Sequence, residues 1–513
     1  MTPVGAVPKH RFSRRDVLAG VSVALVAIPQ ALAYAELAGI PGAHGLYAVA
    51  LPLVAAAFFA SSPHLQTGPV ATTALLTFGA LVPMAAPRSG EYVALAALLA
   101  LVVGVVRIAV GALRAGWISY LMSRPVLDGF MSGAAILIVA SQIPGAAGVA
   151  APGTGVMGRA AWTMGNPGTW EPTAVVVALL TVAVILGSRR VDPRIPGVLV
   201  AAVGGLVFSI LTGYAGPRLG AIPAGLPPLT LDLPWQRLPS LVLPGVVIAM
   251  VGFAEAASIC RTFASEDRER WDANREFVSQ GAANVVAGLT GGFPVGGSFA
   301  RSSLNRLTGA SSRWAGLVTG VSVLLFLPLA NVLAELPRAV LAGVVIAAVV
   351  NLFRPQAFMR LWAFSKPQAV VGWSTFVLTI FLAPHVEHAV LIGILMAGAV
   401  HLWRELAPEV ETRRHGDTLV LEPRGVLWFG SAPVLDDRIL ASLDGQRDVE
   451  RVVIRCGGLG RIDFTGAQAL AEMLDQLRGA GLTVELSEVP EHAYRVLDAV
   501  GVLSAPGPSR GSS

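Results

Sequence analysis

Long apolar stretches, broken by Gly, Pro and isolated charges, fill the first four-fifths of the chain, and a different pattern takes over near its end. A bilayer core takes about 20 apolar residues per helix. Runs of that kind predict fourteen spans, at 16–38, 44–61, 68–86, 92–113, 125–145, 171–187, 194–213, 241–262, 276–291, 297–309, 313–334, 338–353, 367–383 and 387–404. Two are short: the third opens at Thr67-Gly68-Pro69 and the tenth at Gly296-Gly297-Ser298, residues that seldom start a long apolar helix. From about Thr418 the periodicity changes. Strands are expected at 418–422, 426–429, 451–455 and 482–486, and helices at 432–443, 466–478 and 492–500. That alternation predicts a small α/β domain. The expected organisation is an N-terminus at 1–15, a membrane domain at 16–405, a linker at 406–417, the α/β domain at 418–504 and a Pro/Gly/Ser-rich tail at 505–513.

Charge supports that division. Of the 69 charged residues (37 bases, 32 acids), 27 lie in the last 108 residues, about a quarter, as in a soluble domain. The other 42 are spread over the first 405, about a tenth, too few to solvate such a surface. A soluble enzyme and a disordered or collagen-like chain are both excluded. The front part carries about +10 and the tail −5. Arginines such as Arg114, Arg124, Arg189, Arg190, Arg268, Arg275 and Arg313 cluster on alternate loops, whereas the opposite loops hold only Arg88, Arg159, Arg218, Arg237 and Arg338. By the positive-inside rule both termini are expected in the cytoplasm, and the basic excess gives no reason to invoke nucleic acid. No signal peptide is expected, because the first apolar run lacks a small-residue cleavage pattern. Cys260 and Cys456 fall in different domains, so no disulfide framework is expected.

A faint internal repeat is present. Val126-Leu127-Asp128-Gly129 recurs as Val340-Leu341-Ala342-Gly343, and the match extends from Ala134 to Ala348 at an offset of 214. Units of seven spans insert in opposite orientations, and inverted repeats with paired broken helices mark secondary transporters. A half-helix offers unpaired N–H groups and the positive end of its dipole. If the segments at 68–71 and 297–300 meet, they make an anion pocket that needs no metal. Arg301 lies one turn into the second half-helix, at membrane depth, where a charge by default marks a substrate path. Glu36, late in span one, and Glu255, in span eight, are carboxylates withdrawn from water that could take and release a proton with the anion. Asp128 sits at the edge of span five, a capping or gating position. The eight histidines lack metal-ligand spacing, and there is no nucleophile elbow. With Lys9 and Lys366 the only lysines, there is no phosphate-cradling loop either. No enzyme activity, metal or cofactor is expected, and transport energy must come from gradients.

These residues resemble a known family. Ala27-Ile28-Pro29-Gln30-Ala31-Leu32-Ala33-Tyr34-Ala35, then Gly39-Ile40-Pro41 and Gly45-Leu46-Tyr47-Ala48, resemble the hallmark of the sulfate permease (SulP) anion transporters. Ser61-Ser62-Pro63-His64-Leu65-Gln66-Thr67-Gly68-Pro69-Val70-Ala71 and Gly297-Ser298-Phe299-Ala300-Arg301-Ser302-Ser303-Leu304-Asn305 are similar to further motifs of that family, and the tail resembles its STAS domain. The resemblance implies a polytopic α-helical protein of fourteen spans in two inverted seven-helix repeats, as in uracil permeases. Spans 1–4 and 8–11 would form a mobile core, spans 5–7 and 12–14 a gate, in a homodimer with elevator-like motion. It also implies that Gln30, Tyr34, Val70 and Ala71 line the pocket, faced by Ser298, Phe299, Ala300 and Arg301, and that Glu255 couples H⁺ or Na⁺. In the tail, Thr465 occupies the place of a phosphorylatable serine, with a helix cap by Asp463 or Thr465 as the alternative.

The expected function is gradient-driven symport of a small anion with a proton across the inner membrane. The two buried acids suggest a dicarboxylate such as fumarate or succinate. Sulfate or bicarbonate transport is the alternative, and a membrane-tethered STAS scaffold that binds a cytoplasmic protein is a reading from another class.

Overall fold

The computed structural model describes residues 12–120, 122–153, 155–223, 225–229, 232–406, 408–446 and 448–503. The expected tail at 505–513 and most of the N-terminal segment lie outside the described residues. Two compact units emerge, Met1–Leu395 and Met396–Ser513.

In the first unit, α1 (Arg14–Leu37), α2 (Gly42–Tyr47) with α3 (Ala50–Phe59), α4 (Ala71–Leu81) and α5 (Gly90–Ala112) occupy the first four predicted spans. The next three are α6 (Arg124–Ala146), α8 (Pro172–Val191) and α9 (Gly197–Thr212). The second half supplies α10 (Leu238–Asp267), α11 (Ala273–Leu289), α12 (Phe299–Leu307) and α13 (Trp314–Phe326), then α14 (Arg338–Val349), α16 (Lys366–Phe381) and the first half of α17 (Val386–Glu405), whose remainder is counted with the second unit. Every predicted span thus meets a helix. Among the described residues, eight helical segments are long and apolar enough to cross a membrane by length and composition. Two helices were not foreseen, α7 (Val156–Gly165) and α15 (Pro355–Phe364). At ten residues each, with Arg159 and Arg360 inside them, both fall below the length and apolarity that mark a span.

Helices α1–α5 interleave with α10–α13, whereas α6 and α8 pack on α14, and α6 on α16. Small residues set the interleaving. A Cβ on Gly104 of α5 would stand 2.9 Å from the Gly281 carbonyl oxygen of α11, and one on Gly281 would stand 2.9 Å from that of Gly104. The two backbones touch, which is how helices associate where lipid offers no hydrophobic drive. The start of α1 is tied to the start of α13. Asp16 accepts from the N–H of Ser13 at 2.9 Å in a capping box, and from the N–H groups of Ser311 at 2.7 Å and Ser312 at 2.9 Å. Large apolar side chains such as Leu179, Leu180, Leu211 and Phe381 are exposed on α8, α9 and α16, as lipid contact requires.

The second unit is an α/β domain. Its sheet runs β3 (Glu409–His415), β4 (Thr418–Leu427), β5 (Arg451–Arg455), β7 (Thr483–Ser487), with β6 (Leu459–Ile462) also on β4. β3 is antiparallel to β4, and the other pairings are parallel. Helices α18 (Ala432–Leu443), α19 (Phe464–Gly479) and α20 (Glu491–Ala499) complete it. Leu419, Leu421, Val452 and Ile454 alternate into the core against Ala467, Leu470, Leu474 and Leu477, the helical i, i+3, i+7 set of α19. The expected linker at 406–417 is corrected, since β3 occupies most of it. Its Glu, Arg, Thr and His side chains are largely exposed, so this edge strand carries no apolar alternation for sequence to show. The two strands expected at 418–422 and 426–429 are one, bent across Pro423 and Gly425.

Candidate functional site

The two short segments meet. Ahead of α4 lies β1 (Thr67–Gly68) and ahead of α12 lies β2 (Gly296–Gly297). They pair antiparallel, Thr67 opposite Gly297 and Gly68 opposite Gly296. The Ser298 N–H adds a further rung by donating to the Gln66 carbonyl at 3.0 Å. Polar side chains lock this ribbon from behind. Gln280 Nε2 donates to Thr67 Oγ1 at 2.6 Å, the Gln66 N–H to Ser302 Oγ at 2.9 Å, and Asn305 Nδ2 to the His64 carbonyl at 3.1 Å. From one ribbon, two half-helices depart with their N-termini side by side. Val70 caps α4 with no side-chain acceptor, and Ser298 caps α12 by accepting from the Arg301 N–H at 3.4 Å. The first-turn N–H groups and both dipoles therefore converge on one place.

Arg301 completes it. The side chain is 1% exposed. Its Nη2 donates to the Pro69 carbonyl at 2.9 Å, while Nε and Nη1 have no partner among the described residues. A buried cation with two unused donors is costly, and an anion would satisfy both. Space for the guanidinium comes from Gly68, where a Cβ would stand 3.1 Å from Nη2. Glu255 on α10 lies within electrostatic reach of Arg301, with the Thr72 hydroxyl of α4 against its carboxyl. Its Oε2 is buried without a partner among the described residues. Tyr34 is within electrostatic reach of both charges. One turn before it on α1, Gln30 is buried with its Oε1 unpartnered among the described residues. Gln30, Ala300 and Leu304 line a cavity of about 70 Å³ with Val26, Ser188 and Arg189.

Of the sequence-predicted residues, Tyr34, Glu255 and Arg301 lie within electrostatic reach of one another, Val70 and Ser298 cap the two half-helices, with Ala71 opening α4, and Gln30 and Ala300 line the cavity. Phe299 departs from expectation: it is 58% exposed and its ring stacks on Phe263. Phe299 and Arg301 are two residues apart, about 200° around the helix, so burying Arg301 turns Phe299 away. Glu36 is corrected for the same reason relative to Tyr34. It sits at the end of α1 in an ion pair with Arg88, apart from the pocket. The cap question at α19 resolves to Asp463, whose Oδ1 accepts from the Gly466 N–H at 2.7 Å; Thr465 is exposed.

Sequence reasoning missed Thr72, Gln280 and Arg107. Arg107 is fully buried in α5 and donates to the carbonyls of Ile248, Ala249 and Val295, fixing α10 and the approach to β2. A lone arginine inside a long apolar run was the available signal. The expectation of no metal-ligand spacing meets an exception at the start of α17, where His385, Glu387 and His388 lie together.

A helical membrane transporter fold with an appended α/β domain is the class these features define. Comparison agrees with it: the murine Solute Carrier 26 family member A9 anion transporter in the inward-facing state superposes with TM-score 0.88 at 19% identity, over 97% of this chain and 89% of that one. The transmembrane domain of a cyanobacterium bicarbonate transporter superposes with TM-score 0.65 at 27% identity, over 76% of this chain and 100% of that one. The chain belongs to the sulfate permease family, whose profile matches residues 14–375, and a STAS domain matches 409–507. A "probable sulfate transporter" of Mycobacterium tuberculosis is 30% identical over 97% of this chain and 93% of its own. A "sodium-independent sulfate anion transporter" of Bos taurus is 29% identical over 96% of this chain and 86% of its own.

Proposed function

We propose that this protein is a secondary active carrier of small inorganic oxyanions, sulfate first among them. The observation that carries the reading is Arg301, buried with two unused donors beside two converging helix N-termini. A tetrahedral oxyanion presents acceptors in all directions, and such a site can satisfy them from main-chain N–H groups and one guanidinium. The names of the mycobacterial and bovine relatives favour sulfate over the dicarboxylate expected above. So does the pairing of Glu36 with Arg88, which removes one of the two acids behind that expectation.

Glu255 supplies the coupling. Ionised, it would repel an anion at Arg301; protonated, it would not, so anion and proton enter together. In the cycle, α1–α5 and α10–α13 slide as one body past α6, α8, α9, α14, α16 and α17. The protein works as a homodimer in the inner membrane with both termini in the cytoplasm. Its STAS domain meets a cytoplasmic partner, with Thr465 as a phosphorylation point. The test is uptake of labelled sulfate, bicarbonate and fumarate into proteoliposomes, with and without an inward proton gradient. Gradient-stimulated uptake of sulfate is expected. Fumarate uptake that sulfate does not compete with would overturn the substrate assignment, and uptake indifferent to the gradient would overturn the coupling.

A further inference from the structure

Away from the anion pocket, three ligating side chains come together where α16 turns into α17. His385, Glu387 and His388 each offer one atom, all within 4.8 Å of one another. His385 Nδ1 stands 3.1 Å from Glu387 Oε1. The other oxygen of that carboxyl, Oε2, is buried without a partner among the described residues, and the residue is only 4% exposed. Both imidazoles, in contrast, are exposed, with ring centroids 5.5 Å apart. A buried carboxylate with an unused oxygen, flanked by two accessible rings, is a setting that favours a cation.

We propose that His385, Glu387 and His388 bind a divalent transition metal of the zinc class. Two imidazole nitrogens and a carboxylate oxygen, with the fourth position left to water, form a donor set that zinc accepts. Nitrogen donors disfavour Mg²⁺ and Ca²⁺, which take oxygen. Zinc–ligand bonds of about 2.0–2.1 Å set tetrahedral neighbours about 3.3 Å apart, so the exposed rings need only a modest rotation.

Position gives the ion a consequence. A Cβ on Gly79 of α4 would collide with the Pro384 carbonyl oxygen, so this turn is seated directly on the half-helix that carries the anion site. In the alternating-access reading, that contact must break as α4 moves. An ion that ties the turn together holds the contact and slows the cycle. The slowing rests on the transport reading; the metal site does not.

Zinc titrated by calorimetry into purified, untagged full-length protein tests the site. Wild type should bind about one zinc ion per chain more tightly than the His385→Ala/His388→Ala double variant, and Glu387→Gln should weaken that binding at least about tenfold. Equal stoichiometry and affinity in wild type and double variant would overturn the site. In proteoliposomes, external zinc should slow sulfate uptake several-fold for wild type and leave the double variant unaffected. Zinc that binds but does not slow uptake would overturn the brake alone. No uptake by either protein without zinc would count against the transport reading and leave the calorimetric result standing.

Discussion

Replacing Arg301 with Met keeps the unbranched stem of the side chain and removes every donor. In the wild type Nη2 is engaged with the Pro69 carbonyl, while Nε and Nη1 are unspent. A hydrogen bond to a charged group contributes about 1.5–3 kcal/mol. At 1.4 kcal/mol per tenfold, losing one such bond weakens anion affinity by about 10- to 150-fold, and losing both by more. Stability should move far less. Leaving the Pro69 carbonyl unpaired costs about 1–3 kcal/mol, and removing an uncompensated buried charge offsets part of that. The assay is sulfate binding to purified wild type and Arg301→Met, by calorimetry or competition with labelled sulfate, alongside a thermal melt. A folded variant whose sulfate affinity stays within about threefold of wild type would refute the idea that these donors hold the anion. Arg301→Lys is a useful companion: it restores charge but not the second donor direction, so it should recover only part of the affinity.

Glu255→Gln should abolish stimulation of uptake by a proton gradient while leaving sulfate exchange measurable; full stimulation in that variant would clear Glu255. Gly281→Leu should lose most folded protein, because its side chain must enter the space of the Ile108 backbone and the Gly104 carbonyl; a normal yield of a monodisperse variant would contradict the close crossing. Asp463→Ala should destabilise the STAS domain by about 1 kcal/mol through loss of the α19 cap, read by its thermal melt. Burial pushes the Cys456 thiol up to about 11. In a Cys260→Ala background it should therefore resist maleimide between pH 7 and 9 until the domain is unfolded, and rapid native labelling would show the core to be open.

Much of the membrane unit was legible in its sequence, because lipid imposes a length and an apolarity that local composition must meet. The fourteen spans, the two truncated ones and Arg301 all follow from that constraint. The α/β unit showed Leu419, Leu421, Val452 and Ile454 by simple alternation, but hid β3, whose polar edge needs no apolar face. Which acid belongs to the pocket was a matter of tertiary structure alone. Glu36 and Glu255 both read as carboxylates withdrawn from water, yet a two-residue step around α1 and the nearness of Arg88 take Glu36 away, while packing of α10 against α4 sets Glu255 beside Thr72. The meeting of residues 67–68 with 296–297 is likewise a pairing of backbones far apart in the chain, directed by Gln280, Ser302 and Asn305 from helices that sequence reads only as apolar runs with polar interruptions. Hydropathy is a local property and survives in one dimension. Angular position around a helix and the identity of a distant partner are set only when the helices close on each other.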